Sequence, residues 1–308
     1  MKPLCPRHIG WIVLFIFALG GSCKAQDASD LIPLFDVDSS PAYVSGVNFT
    51  INSSTQHSSL TGWSSVVIPD ISYRFNRHYS VDIKFPWFLS VKNFVPKTVK
   101  NVLTYPLTQT KDVIGDTAAS GYYKRDFGDF GYKARATVGL ATGDSLFGLS
   151  ANTATYNVTN HLEYSISRFS PDIEFGIGNS SSLLHPTITK SYTAVGQLAN
   201  FQAGADIDLP YKLDLDLEAY ENLPLGNQNV YGTITTKGKN GKTTTTQVLE
   251  GQGVAEDNGF TADLEIPLNS HFILAAGYQR SLDQGTDELD ISLIWKLRTP
   301  KKHTKAAH

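Results

Sequence analysis

Residues 201–223 read FQAGADIDLPYKLDLDLEAYENL, and the alternation within this stretch decides the fold. Ala203, Ala205, Ile207 and Leu209 take turns with Gly204, Asp206 and Asp208. Pro210 and Tyr211 break the run. Leu213, Leu215, Leu217 and Ala219 then take turns with Asp214, Asp216, Glu218 and Tyr220. A period of two in both halves is the pattern of two antiparallel strands joined by a tight turn, with one apolar and one charged face. A helix, at 3.6 residues per turn, would scatter the same aspartates around its whole surface. One face of this hairpin requires lipid or core and the other requires water. That is the wall of a transmembrane β-barrel.

The bulk numbers agree without deciding. The 308 residues are 41% hydrophobic, and a mean hydropathy of −0.17 excludes a bundle of membrane helices. A soluble protein has this composition, and so does a barrel with half of each strand facing an aqueous lumen. The N-terminus has Lys2 and Arg7, then an apolar run at 11–19 (WIVLFIFAL), then Cys23-Lys24-Ala25. This reads as a secretory signal peptide over 1–25, with cleavage near Ala25. Lipidation at Cys23 is the rival reading, but Gly20 stands where a lipobox needs a large aliphatic residue. Both cysteines, Cys5 and Cys23, leave with the leader, so no disulfide or thiol chemistry is expected. Losing Lys2, Arg7 and Lys24 and no acid takes the formal charge from −3 to −6. A mildly acidic chain of this kind is not a general nucleic-acid binder.

The remaining chain divides into a periplasmic N-terminal segment (26–41), a barrel (42–297) and a basic tail (298–308). Twelve strands are expected in an all-β, antiparallel, up-and-down arrangement. The first covers 43–52, followed by a polar loop at 53–62, and the second runs to Asn76. The third (79–90) alternates for six pairs, and a long loop occupies 91–113. The fourth (114–123) is weak and glycine-rich, and a link at 124–130 leads to the fifth (131–142). The sixth (153–167), the seventh (172–179) and the opening hairpin follow. After the longest loop (222–258) come strands at 259–268, 271–281 and 289–297. Within that loop, Asn240-Gly241 marks a further, threonine-rich hairpin that projects into water. Connections after even-numbered strands are short and those after odd-numbered strands mostly longer, as periplasmic turns and external loops are. Tyr43, Tyr73, Phe75, Trp87, Tyr132 and Trp295 fall on the apolar face near strand ends, where interfacial girdles form.

Three short motifs carry a family resemblance. They are Gly115-Asp116-Thr117, Phe127-Gly128-Asp129-Phe130-Gly131-Tyr132, and Thr142-Gly143-Asp144. Together they resemble the MetA-pathway of phenol degradation family of outer-membrane β-barrel, transporter-like proteins, over roughly 43–297. Ala141 departs from the proline usual in that family. The resemblance implies a signal-bearing protein of the outer membrane of a diderm bacterium. It also implies transport of small molecules, with hydrophobic or aromatic ones as the class. Outer-membrane lipid and the barrel-assembly machinery are the partners this reading calls for.

No catalytic group is expected. His161 alone among the histidines sits mid-strand on the inward face, beside Glu163, and no serine motif accompanies it. A membrane-embedded lipid hydrolase is therefore the weakest functional reading. No metal-ligand spacing appears, and no cofactor is called for. The inward charges carry the site. Arg74, Lys84, Lys133 and Arg135 form a basic wall early in the chain. Asp172, Glu174, Asp206, Asp208, Asp214, Asp216, Glu218, Asp263 and Glu265 form an acidic wall late in it. In a closed barrel these are different arcs, so the lumen carries a transverse field. The leading expectation is a porin-like channel for passive passage. The alternative is a non-conducting structural or surface-interaction barrel that uses the 222–258 loop.

Overall fold

A computed structural model describes residues 46–94, 97–99, 102–104, 106–144, 149–151, 153–180, 196–226, 229–237, 243–252 and 256–297. The signal peptide, the 26–41 segment, Tyr43, the Asn240-Gly241 turn and the 298–308 tail lie outside these residues.

The described chain is a closed antiparallel barrel of twelve strands. The strands are β1 (Gly46–Ser58), β2 (Gly62–Arg74), β3 (Tyr79–Lys84), β4 (Thr117–Phe127), β5 (Phe130–Leu140) and β6 (Thr155–Tyr164). They continue as β7 (Phe169–Gly178), β8 (Leu198–Leu209), β9 (Leu213–Pro224), β10 (Asp257–Pro267), β11 (Phe272–Ser281) and β12 (Asp287–Lys296). Each pairs with its sequence neighbour, and β1 pairs with β12 from Thr50↔Lys296 to Ser58↔Glu288, which closes the tube. A transmembrane strand needs about 9–11 tilted residues. Apart from β3, the strands have 10 to 13. Closure leaves no strand edge with free backbone groups in lipid.

The alternation of the sequence becomes an alternation of faces. On β7, Ile173, Phe175 and Ile177 are 44–50% exposed on the outside, while Asp172 and Glu174 are 5% and 8% exposed. Several exterior aromatics pair at the end of the barrel that bears the short turns. There Tyr73 meets Phe75 with 4.9 Å between ring centroids, and Tyr79 meets Tyr123 at 5.2 Å. Tyr123 meets Tyr132 at 6.1 Å, and Phe272 stacks on Trp295 at 5.8 Å. Such rings have an apolar body for lipid and a polar tip for headgroups.

Two of the short turns share one construction. In the 75–78 turn the side-chain oxygen of Asn76 accepts hydrogen bonds from the backbone N–H groups of His78 (2.8 Å) and Tyr79 (3.0 Å). In the 268–271 turn Asn269 does the same for His271 (2.8 Å) and Phe272 (3.1 Å). Each histidine then pairs its Nδ1 with a carbonyl on the adjoining strand, His78 with Lys124 (2.9 Å) and His271 with Lys296 (3.1 Å). These two histidines are turn fasteners.

Several boundaries differ from the expectation. The loop placed at 53–62 is strand for most of its length, because β1 pairs with β2 as far as Ser58↔Gly62. Its polar run hides this, because it lacks the alternation of apolar and polar residues that marks a strand. The loop placed at 91–113 contains strand as well. After Phe85 and Pro86 the third strand resumes as Trp87–Phe94, which pairs with β2, with Leu107–Thr110 and with Val113–Ile114. The weak fourth strand is pushed later in the chain, and its link at 124–130 shrinks to Gly128 and Asp129. The connections after β1 (59–61) and β11 (282–286) are short although both belong to the long-loop end. Trp87 opens the resumed segment, just past the proline break. The hairpin Asn229–Lys237 with Thr243–Gln252 forms a sheet of its own, separate from the barrel.

Candidate functional site

The interior wall is where chemistry-bearing side chains converge, and the strand register fixes their neighbours. Two carboxylate rows run across β8, β9 and β10. In one, Asp208 faces Asp214, and Asp214 faces Glu265. In the other, Asp206 faces Asp216, and Asp216 faces Asp263. The second row continues through Gly277 on β11 to Asp290 on β12. A third row brings Glu163 opposite Asp172, then Gly204, then Glu218. Glu218 accepts a hydrogen bond of 3.4 Å from Thr261 on β10. Directly opposed side chains in an antiparallel pair lie about 5 Å apart at Cβ. Two carboxylates at ~5 Å repel by about 0.8 kcal/mol in water and about 3 kcal/mol at an effective dielectric of ~20.

The basic residues occupy the other arc, though not alone. Lys84 stands directly across from Asp70 and 3.8 Å from the Asp82 carboxylate, which also accepts the Tyr122 hydroxyl at 2.7 Å. Lys84 and Arg135 are 3% and 6% exposed. Arg74 faces Ser80, near the short-turn end of β2. Lys133 faces Lys124 on one side and His161 on the other. His161 in turn faces Glu174, its Nδ1 3.8 Å from the Glu174 carboxylate. The boundary between the two arcs therefore falls at His161.

Every residue proposed from the sequence lies on a barrel strand with its register defined. The structure adds neighbours that the sequence reading left out of the walls: Asp70, Asp82 and Tyr122 beside Lys84, Lys124 opposite Lys133, and Glu288 and Asp290 on β12. Asp290 was legible, since it alternates with Leu289 and Ile291; Glu288 sat inside a stretch read as loop. Among the described residues, no group of three or more His, Cys, Asp or Glu is arranged to hold a metal ion. The carboxylates are spread along a wall.

Above the charged belt, on the side of the long loops, the interior turns apolar. Val66 and Ile68 of β2, Phe88 and Val91 of the resumed third strand, and Leu149 from the connection after β5 are each at most 7% exposed and pack together, with Val113 against them. Phe88, which alternates with the exposed Trp87 and Leu89, is an apolar residue placed inward. On the opposite arc a polar network takes over. Tyr220 donates to Asp257 (3.3 Å), Gln279 donates to the Tyr220 hydroxyl (3.1 Å), and Asn200 donates to Asn222 (2.8 Å).

No protein-family model matches the chain, and no curated protein matches it. Among solved structures it is similar to an outer-membrane channel from Pseudomonas putida F1. The TM-score is 0.53 at 11% identity, over 82% of this chain and 96% of that one. The Pseudomonas putida toluene transporter TodX aligns with a TM-score of 0.44 at 9% identity, over 90% of this chain and 95% of TodX. The first likeness shows a shared fold: the chain has the architecture of an outer-membrane channel.

Proposed function

We propose that this protein is a porin-like channel in the outer membrane of a diderm bacterium that passes small molecules without energy input. One observation carries the reading. The carboxylate rows on β8–β10 have carboxylates as their cross-strand neighbours, inside a tube with an apolar exterior. Rows of like charge are tolerable where water and mobile counter-ions reach them. That favours a hydrated lumen over a filled one.

In this reading the leader over 1–25 exports the chain, the barrel-assembly machinery inserts it, and lipid covers its outer face. The protein is a transporter of the MetA-pathway kind, not an enzyme, and needs no cofactor. Hydrophobic or aromatic solutes are the class that follows from this kinship. The charged residues act as lumen walls: Arg74, Lys84, Lys133 and Arg135 on one side, and the late-chain carboxylates on the other. The test is purified protein in a planar bilayer. Stepwise conductance is expected, and its absence together with absent solute flux into proteoliposomes would overturn the reading. A second reading draws on the separate Asn229–Lys237 and Thr243–Gln252 hairpin. As a surface-interaction element it would bind a partner, and its deletion would abolish that binding with conductance intact.

A further inference from the structure

The short turn after β2 and the end of β4 bring two arginines to one corner of the barrel rim. Tyr79 faces Tyr123 across β3 and β4, and the pairing runs on past β3, where the Lys124 N–H donates to the His78 carbonyl (2.8 Å). Arg77 and Arg125 stand one step further along, and both are exposed. Each is held by a ring. The Arg77 Nε donates to Nε2 of His78 (2.9 Å), and the His78 Nδ1 meets the Lys124 carbonyl at 2.9 Å. A carbonyl only accepts, so Nδ1 carries the ring proton and Nε2 accepts; both bonds require the same neutral tautomer. The Arg125 guanidinium lies over the Phe127 ring, 4.7 Å from its centroid, a cation–π contact. Among the described residues neither arginine forms an ion pair with a carboxylate. The nearby Asp126 alternates to the inner face, where it and Glu163 both flank Gly131.

We propose that this corner binds the headgroup phosphate of an anionic phospholipid, whose acyl chains lie against the lipid-facing wall of β3–β5. Charge complementarity selects the occupant. Two guanidinium groups, each fixed through one edge or face, offer their remaining N–H groups to an acceptor, and the planar fork matches phosphate oxygens. The short turns put the corner at the periplasmic leaflet, which consists of phospholipid. Next to the arginines, Tyr79 and Tyr123 meet at 5.2 Å and mark the level where headgroups give way to chains. Below them the wall is low. A Cβ on Gly121 would have nothing within 4 Å, and Val81 and Ile83 stand beside it, 39% and 43% exposed. A zwitterionic lipid brings its own ammonium group, which competes with the arginines for its phosphate, so the site prefers a lipid of net negative charge.

Native mass spectrometry of the folded protein in a neutral detergent tests the site. Dioleoyl phosphatidylglycerol and dioleoyl phosphatidylcholine, which share their chains, are offered in equal amounts. The parent should retain phosphatidylglycerol in preference. Arg77→Gln together with Arg125→Gln should lower that preference about thirtyfold, as removal of two cations beside an anionic lipid does. Arg168→Gln, in the exposed turn after β6 at the same end, should leave it unchanged. Equal retention of the two lipids by the parent, an undiminished preference in the double variant, or an equal loss in the Arg168 control overturns the site. Displacement of the lipid by excess inorganic phosphate would make it a free-phosphate site and overturns it too. Should the double variant fail to give a heat-modifiable barrel, Arg125→Gln alone decides by the same criterion. The site needs the barrel to lie in lipid but not to conduct. A parent that binds the lipid and passes no current therefore fails the channel reading and leaves the site standing.

Discussion

Asp206 and Asp216 face each other across the β8–β9 hairpin, and Asp216 faces Asp263 on the next strand. Asp216 thus has a carboxylate on either side. Removing its charge should stabilise the barrel, against the usual direction for a change at a buried polar group. Asp216→Asn is expected to raise the unfolding free energy by about 0.5–1 kcal/mol at low salt. At ~1 M salt, where screening extends over only ~3 Å, the gain should vanish. Urea titration of folding into lipid vesicles at two ionic strengths measures both.

The assignment of faces on β7 is open to a direct contrast. Ile173 is 50% exposed on the outside, where the apolar wall meets lipid. Ile173→Arg is expected to cost about 2–4 kcal/mol near the bilayer midplane. Glu218→Gln, on the interior of β9, should stay within about 1 kcal/mol of the parent. Equal costs at the two positions would mean that the faces are reversed.

Gly204 occupies the interior row between Asp172 and Glu218. A Cβ there would press on the Leu217 carbonyl oxygen and lie 2.9 Å from the Glu218 Cα. Both are backbone atoms, which cannot swing aside. Gly204→Val is expected to destabilise by about 1–3 kcal/mol. The heat-modifiable fraction on cold gels, alongside vesicle unfolding, reads the loss.

How much of this was legible in the sequence depends on where a strand meets lipid. In 201–223 every second residue is apolar, so the hairpin and its turn at Pro210 follow from the letters alone. Residues 53–58 (SSTQHS) carry no such signal, because both faces of that part of β1 are polar. The resumed third strand was hidden by Pro86 and by the register shift beside Ser65, which breaks a simple alternation. At the site, the strand that carries each charge could be read, but not its neighbours. Whether Lys84 lies beside an acid or an empty wall is set by the β2–β3 register, which periodicity does not encode. Nor do the Gly-Asp-Thr and Thr-Gly-Asp motifs announce that they bind each other, the Asp116 Oδ1 accepting the Gly143 N–H at 2.8 Å. They are separated by two strands, and only closure of the β4–β5 hairpin brings them together.

The repeated turn makes a prediction of its own. Asn76 and Asn269 each accept two backbone N–H groups at the short-turn end of the barrel. Replacing either by alanine is expected to cost about 0.5–2 kcal/mol, the range for loss of a comparable cap. Ser270→Ala in the same turn serves as the control and should be silent. Vesicle unfolding of the three single variants checks this.

The central claim is a hydrated lumen with a carboxylate-lined arc, and the reversal potential under a salt gradient tests it most directly. The parent protein should conduct with a preference for cations. Changing Asp206, Asp216 and Asp263 together to asparagine should lower the cation-to-anion permeability ratio about three- to sevenfold, as for a change of one to two kT in lumen potential. A parent that conducts without charge preference, or a triple variant with an unchanged reversal potential, would contradict the account.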